Sequence, residues 1–381
     1  MHYTMRRITQ PPRHHFFGYY DLPCWDAAGR YHLAMEVDFM DRPPTGEDTA
    51  IVGVVDLEGG DRYTPLARTR AWNFQQGCFA QWLAGRQRTI IYNDRRDGQF
   101  VCVTHELGAG RERVHGPAVA AVSEDGRLGA TLNFARIAVT RPGYGYEGLA
   151  DPWHEQNMPE KDGLGILDLA TGRHRLIVSF ADLAPLQAAE VGWGQDKTYF
   201  NHVLFNPSGT RLSVIVRQVV PRPGQMPSWW TQLWTFSADG SVKHHCLDRP
   251  MVSHYDWKDD DTVIAWAQVG GVDGVWELDA LGRTPPRRLF AETITRDGHI
   301  AYSHDRRHIV CDTYPDQAGL RELFLAPYPG GEELSLGRYY SPTPRHVDIR
   351  CDFHPSFSAD DRQIAFDGMH EGTRQRYIVT L

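Results

Sequence analysis

Residues 200–216 of this protein, FNHVLFNPSGTRLSVIV, read as two apolar β-strands joined by a tight turn, and this hairpin indicates the fold class. The turn letters NPSG at 206–209 are residue types that tight turns favour. His202 lies inside the first strand, three residues before Phe205, which leads into the turn. We interpret the histidine as a sign that this strand lines a site rather than only core.

The same unit recurs seven times as a short strand, a polar turn and an apolar strand. The copies read CWDAAGRYHLAM, QWLAGRQRTIIY, AVSEDGRLGATL, LFNPSGTRLSVIV, YDWKDDDTVIAW, AYSHDRRHIVCD and SFSADDRQIAFD. The last residue of each first strand, here called the anchor, is Trp25, Trp82, Val122, Phe205, Trp257, Tyr302 or Phe357. Such internal repetition is typical of a repeat architecture.

Most copies are followed by a second alternating strand and turn, as in AIVGVVDLEGG and GLGILDLATGR. Two hairpins make a four-stranded antiparallel blade, and seven blades predict an all-β, seven-bladed β-propeller in which residues 1–381 form a single domain. The last copy ends at RQRYIVTL, so we expect the N-terminal segment YTMRRITQ to pair with it and close the ring. Helical periodicity is nearly absent, and residues 180–191 are the best helix candidate.

One segment, RPGYGYEGLADPWHEQNMPEKDG at 141–163, is too irregular and too rich in glycine, proline and aromatic residues for blade strands. We interpret it as an inserted loop. Long ordered loops on a rigid scaffold often carry function, although a tolerated insertion has the same composition.

The composition excludes several classes of protein. The net charge of −8 argues against broad nucleic-acid binding. The sequence contains no run of about 18 apolar residues, so it predicts no transmembrane helix. The N-terminus lacks an apolar signal core, so we expect a cytoplasmic protein as given, or a secreted or periplasmic one if an export signal has been trimmed. The cysteines form no CxxC pair and are expected to be reduced and buried.

A register of histidines emerges when the copies are aligned on their anchors. Three residues before the anchors lie Leu22, Phe79, Val119, His202, His254, His299 and His354. The innermost strand of a propeller blade runs along the central channel, so the four imidazoles should converge there. Such a cluster suits a metal such as zinc or manganese, an anion, or a substrate; alternatively, each ring bonds the backbone of a neighbouring blade.

A second polar set precedes the first anchor in PRHHFFGYYD. Adjacent residues of a strand point to opposite faces, so some of these side chains should reach the channel mouth. Similar polarity appears in WNFQQGCFAQW. The predicted substrate contacts are His15, Tyr19, Gln76, Arg136 and Tyr146.

Ordered motifs along nearly the whole chain resemble those of propeller polysaccharide lyases. They are HHFFGYYD, WNFQQGCFAQW, FNHVLFNPSGTRL, VSHYDW, DGHIAYSHDRRHIVCDTYPD and RCDFHPSFSADDRQIAFDGMHEGTRQRYIV. The resemblance is to ulvan lyases first and to oligogalacturonate lyases more distantly. It implies a seven-bladed propeller that cleaves an acidic, uronic-acid-containing oligo- or polysaccharide by β-elimination.

The resemblance also implies roles for individual residues. In β-elimination a base removes the C5 proton, a positive group stabilises the developing charge, and an acid protonates the departing O4. His202 in NHVLF matches a catalytic or substrate-binding histidine, and Arg217 on the partner strand is the candidate partner of the uronate carboxylate. Tyr199 is expected to act as the acid or as a sugar-stacking platform.

A divalent metal, zinc or manganese, is implied as a catalytic or structural cofactor. His254 and His354 match ligands of the manganese ion that oligogalacturonate lyases hold in their later blades, and Asp352 stands where those enzymes have a second histidine. The corresponding region of ulvan lyases would add His299 and Cys351 as ligands.

Two other functions remain open from the sequence. A non-catalytic propeller could bind an acidic glycan or a protein partner, but such a scaffold has no need of four ionisable groups in one channel register. A glycoside hydrolase would need a facing carboxylate pair, for which Asp297, Asp312 and Asp352 are available. The chain contains no GxSxG nucleophile elbow.

Overall fold

The structure, a computed structural model, describes residues 3–186, 194–222, 228–248 and 251–381. Alternating apolar strands and tight turns form seven antiparallel sheets of four strands each. The sheets are the blades of a β-propeller, which confirms the predicted fold class. Apolar residues on the blade faces form the core between neighbouring sheets.

The strands follow chain order from the channel outward in blades 1 to 6, and blade 7 takes its outer strand from the start of the chain. Blade 1 contains β2 His14–Phe16, β3 Tyr31–Val37, β4 Ala50–Asp56 and β5 Arg62–Thr69; blade 2 contains β6 Gln81–Trp82, β7 Thr89–Arg96, β8 Gln99–Glu106 and β9 Arg111–Pro117; blade 3 contains β10 Val119–Val122, β11 Leu128–Thr131, β12 Gly163–Asp168 and β13 His174–Ser179; blade 4 contains β14 Thr198–Phe205, β15 Arg211–Val220, β16 Ser228–Ser237 and β17 Lys243–Leu247. Blade 5 contains β18 Val252–Trp257, β19 Thr262–Val269, β20 Val272–Asp279 and β21 Arg287–Leu289; blade 6 contains β22 Ile300–Tyr302, β23 His308–Asp312, β24 Leu320–Pro327 and β25 Leu334–Tyr340; blade 7 contains β26 Ser356–Phe357, β27 Gln363–Gly368, β28 Gln375–Thr380 and, as its outer strand, β1 Thr4–Arg7.

The two ends of the chain close the ring, as predicted. Strand β1 pairs antiparallel with β28, from Thr4 opposite Thr380 to Arg7 opposite Tyr377. This pairing completes the last sheet with the first strand of the chain, so the final strand presents no unpaired edge.

The anchors mark the ends of the innermost strands. Six of them are the last residue of β6, β10, β14, β18, β22 or β26, and Trp25 forms an isolated bridge with His32 in blade 1. The turn after Phe205 is held by the Asn206 side chain, which accepts a hydrogen bond from Arg211 N at 2.9 Å. Gly209 in this turn has a φ of +69°, which glycine adopts without steric cost.

The inserted segment begins earlier than the predicted 141–163. It runs from 132 to 162 between β11 and β12, and it opens with a helix, α1 Phe134–Thr140. Asn133 caps this helix by accepting a hydrogen bond from Arg136 N. Two turns of helix are too short to produce a readable apolar period, which is why the sequence did not reveal it.

The predicted helix at 180–191 is present over its first residues. Helix α2 covers Phe180–Leu183, starts with a capping box at Ser179 and Asp182, and continues as a 3₁₀ turn at Ala184–Leu186. The remaining residues of that prediction, 187–191, lie outside the described part of the chain.

All six cysteines are free thiols, as expected; five are buried and Cys246 is half-buried. Among the described residues, no helix is long and apolar enough to cross a membrane.

Candidate active site

The four register histidines lie in the central channel, and each is at most 5% exposed. The ring centroids of His254 and His299 are 4.0 Å apart, and those of His299 and His354 are 4.3 Å apart. His202 lies across from this group, and two tyrosines fill the space between. One register in four consecutive blades therefore produces one cluster.

Tyr19 and Tyr20 connect the four rings. The Tyr19 ring lies 4.9 Å from both His202 and His354. The Tyr20 ring lies 5.5 Å from His202 and 5.3 Å from His299, and its hydroxyl donates to Tyr255 O at 2.8 Å. Burial raises the pKa of both tyrosines well above the ordinary value, so both hydroxyls stay protonated.

Backbone irregularity aims two of the histidines. His202 and His354 have φ values of +49° and +45°, in the left-handed region that non-glycine residues rarely adopt. His202 is also the extra residue of a β-bulge between Asn201 and Val203. A bulge re-aims a side chain locally, and strain of this kind clusters at functional sites.

His299, Asp352 and His354 form the one group, within the described chain, whose ligand atoms are placed to hold a metal ion; those atoms lie within 4.8 Å of one another. His299 Nδ1 is hydrogen-bonded to Asp312 at 2.9 Å, and its buried Nε2 has no partner. Neither ring nitrogen of His354 has a hydrogen-bond partner among the residues that the structure describes. Two orphaned imidazoles beside a carboxylate, one oriented by a second carboxylate, fit a divalent cation such as manganese or zinc.

The electrostatics keep these donors in the form that binds metal. Burial, followed by the neighbouring His299, lowers the pKa of His354 well below the ordinary value, so the ring is neutral at pH 7. Burial alone would raise the pKa of Asp352, but Arg350 and Arg321 hold it well below its usual range. Their nitrogens lie 2.7 and 2.5 Å from the Asp352 oxygens, and an ionised carboxylate still retains further lone pairs.

Two residues predicted as metal ligands lie outside this group. His254 packs against His299, and its Nδ1 bonds Asp297 at 3.0 Å. Cys351 lines a separate surface cavity. Burial raises the pKa of the Cys351 thiol to about 12.

The predicted catalytic residues lie in blade 4. His202 Nε2 is 3.5 Å from an oxygen of Asp21, and its ring lies 4.5 Å from that of Tyr255. Tyr199 on β14 is directly opposite Arg217 on β15. Burial raises the pKa of Tyr199, and the positive charge of Arg217 opposes that shift.

Three of the five predicted substrate contacts are engaged elsewhere. His15 bonds Glu36 and Gln375, each at 3.2 Å, beside the closing strands. The guanidinium of Arg136 bonds five groups: Thr198 O, Asp151, and the carbonyls of Trp153, Gln156 and Asn157. Tyr146 is stacked on Phe134 at 4.2 Å, and its hydroxyl accepts a hydrogen bond from Asn93.

Arg136 and Tyr146 therefore fix the inserted segment to blades 4 and 2, and their nitrogen and hydroxyl groups are occupied within the chain. Tyr19 is the predicted contact that touches the histidine cluster. Gln76 lies next to Tyr19 in space. The backbone carbonyl of Gln76 packs against Gly18, the residue before Tyr19, so closely that a Cβ on Gly18 would lie 3.0 Å from the carbonyl oxygen.

Several channel residues were missed as contributors to the site. Asp312 ends β23 and orients His299, whereas Arg321 and Arg350 flank Asp352. The motif RCDFHP already placed Arg350 beside Asp352 in the sequence. Asp312 was named from the sequence only as a carboxylate of the hydrolase alternative. Arg321 carried no comparable signal, because it is a single charged residue on an ordinary blade strand.

No protein-family model matches this sequence, and no curated protein matches it. Solved structures do match. An oligogalacturonate lyase in complex with manganese superimposes with a TM-score of 0.68 at 18% identity, over 99% of this chain and 93% of that chain. The oligogalacturonate lyase of Vibrio parahaemolyticus superimposes with a TM-score of 0.65 at 13% identity, over the same shares of the two chains.

These likenesses establish a shared fold, the seven-bladed propeller of oligogalacturonate lyases. An acylaminoacyl peptidase of Pyrococcus horikoshii matches less well, with a TM-score of 0.48 at 11% identity over 81% of this chain and 45% of that chain. The likeness to oligogalacturonate lyases agrees with one part of the sequence resemblance. The likeness to ulvan lyases stays a prediction.

Proposed function

We propose that this protein is a lyase that cleaves a uronic-acid-containing oligo- or polysaccharide by β-elimination. The observation that carries the proposal is the clustering, in one channel, of the metal-ligating group His299, Asp352 and His354 with His202 and Tyr19. The fold shared with oligogalacturonate lyases supports it.

His202 is the proposed base. Its Nδ1 has no partner within the described residues and takes the C5 proton of the uronate, while Nε2 faces Asp21 at 3.5 Å. The Asp21 carboxylate would stabilise the imidazolium that forms, as a carboxylate does behind other histidine bases.

Tyr19 is the proposed acid. Its ring lies 4.9 Å from both His202 and His354, between the base and the metal-ligating group, and its hydroxyl is protonated near neutral pH. In that position it would give its proton to O4 as the bond to the leaving sugar breaks. Tyr199 remains the second candidate, beside Arg217.

The reacting carboxylate needs positive charge, because negative charge spreads onto it when C5 loses its proton. Arg217 is the proposed partner of this carboxylate, since its planar fork can bind both oxygens. A divalent cation held by His299, Asp352 and His354 would supply Lewis-acid stabilisation of the same charge.

The test is an absorbance screen of the manganese-loaded protein against uronate-containing glycans. A lyase product carries a conjugated 4,5-unsaturated uronate that absorbs in the ultraviolet, whereas a hydrolase product does not. We expect the absorbance to rise with wild-type protein and with His174→Ala, an exposed histidine on an outer strand, and not with His202→Ala. Stoichiometric metal without any absorbance change would refute the lyase and favour the binding propeller.

A further inference from the structure

Two arginines near the proposed active site lack an acidic partner among the described residues. Arg141 belongs to the inserted segment and Arg217 to β15, and both are half-buried. The Nε of each is buried and has no hydrogen-bond partner. Desolvated cations without a counter-charge are costly, so two of them beside the proposed catalytic residue Tyr199 indicate a place for anions.

The register of blade 4 places the side chains of this region on one face. Arg217 is paired with Tyr199 on β14 and with Thr231 on β16. Directly paired residues share a face of the sheet, and so do residues two apart on one strand. Trp229, two residues before Thr231 and paired with Val219, is therefore a diagonal neighbour of Arg217, about 7 Å away.

Arg141 lies on top of this tryptophan. Its guanidinium carbon is 4.2 Å from the ring centre of Trp229 and 5.1 Å from that of Tyr144. The Trp229 indole also donates a hydrogen bond to Thr140 O at 3.3 Å, which ties the end of α1 to β16. The insert thus delivers a second guanidinium to the face that carries Arg217.

The same insert reaches the metal-ligating group. The Tyr144 hydroxyl accepts a hydrogen bond from Arg350 Nη2 at 2.8 Å, and Arg350 Nε lies 2.7 Å from Asp352. Arg217 and Arg141 both act electrostatically on Tyr199, where they oppose the rise in pKa that burial causes. Arg141 therefore belongs to the same surface as the proposed reacting centre.

We propose that Arg141, stacked on Trp229 and Tyr144, forms a second anion subsite that binds the carboxylate or sulfate of the sugar next to the reacting uronate. A guanidinium held flat against aromatic rings keeps its N–H edges free for a bidentate anion and loses little side-chain entropy on binding. The inference rests on the proposed function and assigns the recognition of a neighbouring acidic sugar to the insert rather than to the blades.

The test is calorimetric binding to the full-length, manganese-loaded protein. The probes are galacturonate, digalacturonate, glucuronate and the sulfated disaccharide of chondroitin sulfate. We expect the wild-type protein to bind at least one of the acidic disaccharides more tightly than the corresponding monosaccharide. Arg141→Gln should weaken disaccharide binding roughly ten- to hundredfold and leave monosaccharide binding unchanged, the loss expected for a hydrogen-bonded charge pair.

Three variants separate a binding role from a packing role. Arg217→Gln should weaken the monosaccharide and the disaccharide together, and Arg86→Gln, which removes an exposed charge outside this face, should change neither. Arg141→Lys keeps the charge and should retain part of the disaccharide preference. Thermal unfolding of each variant shows whether the insert stays folded. If Arg141→Gln does not fold, the disaccharide preference is tested with Arg141→Lys instead.

The proposal is overturned if no disaccharide binds more tightly than its monosaccharide, or if a folded Arg141→Gln protein keeps the full preference. A preference for digalacturonate indicates a carboxylate subsite, and one for the sulfated disaccharide a sulfate subsite. Binding needs no turnover, so the lyase assignment can fail in the absorbance screen while this subsite stands. Conversely, if Arg141→Gln changes neither the turnover nor the disaccharide affinity, the subsite is refuted while the lyase assignment stands.

Discussion

Asp312→Asn tests the metal centre at the residue that orients it. Asp312 is buried and bonds the His299 ring at 2.9 Å, the His299 N–H at 2.8 Å and the Phe353 N–H at 3.1 Å. Burial raises the pKa of Asp312, but His299 and then Arg321 outweigh it and hold the pKa below its ordinary value. The substitution keeps the shape of the side chain and removes the negative charge behind His299.

The expected loss follows from this geometry. Replacing a carboxylate that orients a metal-bound histidine typically costs ten- to hundredfold in metal affinity, or about 1.4 to 2.8 kcal/mol. The asparagine amide also turns an N–H donor toward one of the two backbone N–H groups. That mismatch leaves a buried donor unsatisfied and should lower the free energy of unfolding by about 1 to 3 kcal/mol.

The assay is a competition titration of metal-free protein with manganese and with zinc against a chelating indicator. The control is Asp256→Asn, a half-buried aspartate, which accepts hydrogen bonds from the N–H groups of Trp257 and Tyr302 and lies outside the metal-ligating group. Asp312→Asn should lose metal affinity and Asp256→Asn should retain it. Equal affinity in Asp312→Asn and wild type would refute the assignment of His299 as a ligand.

Three further predictions concern the channel and the last blade. His202→Ala should lower turnover by roughly 10² to 10⁴-fold, the usual contribution of a general base, with metal content unchanged; a smaller loss in initial rate contradicts that role. The pKa of His354 is lowered from 6.5 in the folded protein, so as pH falls the unfolded chain takes up this proton before the folded one does. The free energy of unfolding of metal-free protein should therefore fall as pH drops below about 6.5, by up to about 1.4 kcal/mol per pH unit. Denaturant titrations at a series of pH values measure this dependence. The free energy of unfolding should vary less steeply with pH in His354→Gln than in wild type, and an equal pH dependence argues against a buried neutral ring. Asp367→Ala should lower the free energy of unfolding by about 3 to 5 kcal/mol in the same assay, since it strands Arg374 and Arg376, each paired with Asp367 at 2.5 Å in the core of blade 7; a loss below about 1 kcal/mol contradicts this.

The architecture was readable from local pattern because a propeller is built from short-range hairpins. The Asn206 turn, the anchor Phe205 and the alternation of β14 and β15 are encoded within a few residues, and the pattern recurs often enough to count blades. Even the long-range pairing of β1 with β28 followed from a missing strand. Helix α1 did not follow, because its seven residues depend on a cap at Asn133 and on burial against blade strands.

The candidate site was only partly readable, because contacts between blades depend on tertiary packing. The register placed four histidines in one channel, but it did not show which of them meet a carboxylate. His299 and His354 lie with Asp352, whereas His254 bonds Asp297 and Cys351 lines a separate cavity. Arg136 was predicted to contact substrate, whereas its donors bond two carbonyls of the insert and the carbonyl of Thr198 in β14.

The sequence by itself determined the blade count, the order of strands, the closure of the ring and the row of histidines, because each depends on short-range periodicity. Only the tertiary structure decided which groups meet. Asp312 reaches His299 from the next strand of blade 6, Arg321 reaches Asp352 from the strand beyond, and Arg141 reaches Trp229 from an insert in another blade. Such contacts join residues far apart in the chain, and their partners are chosen by the packing of the ring.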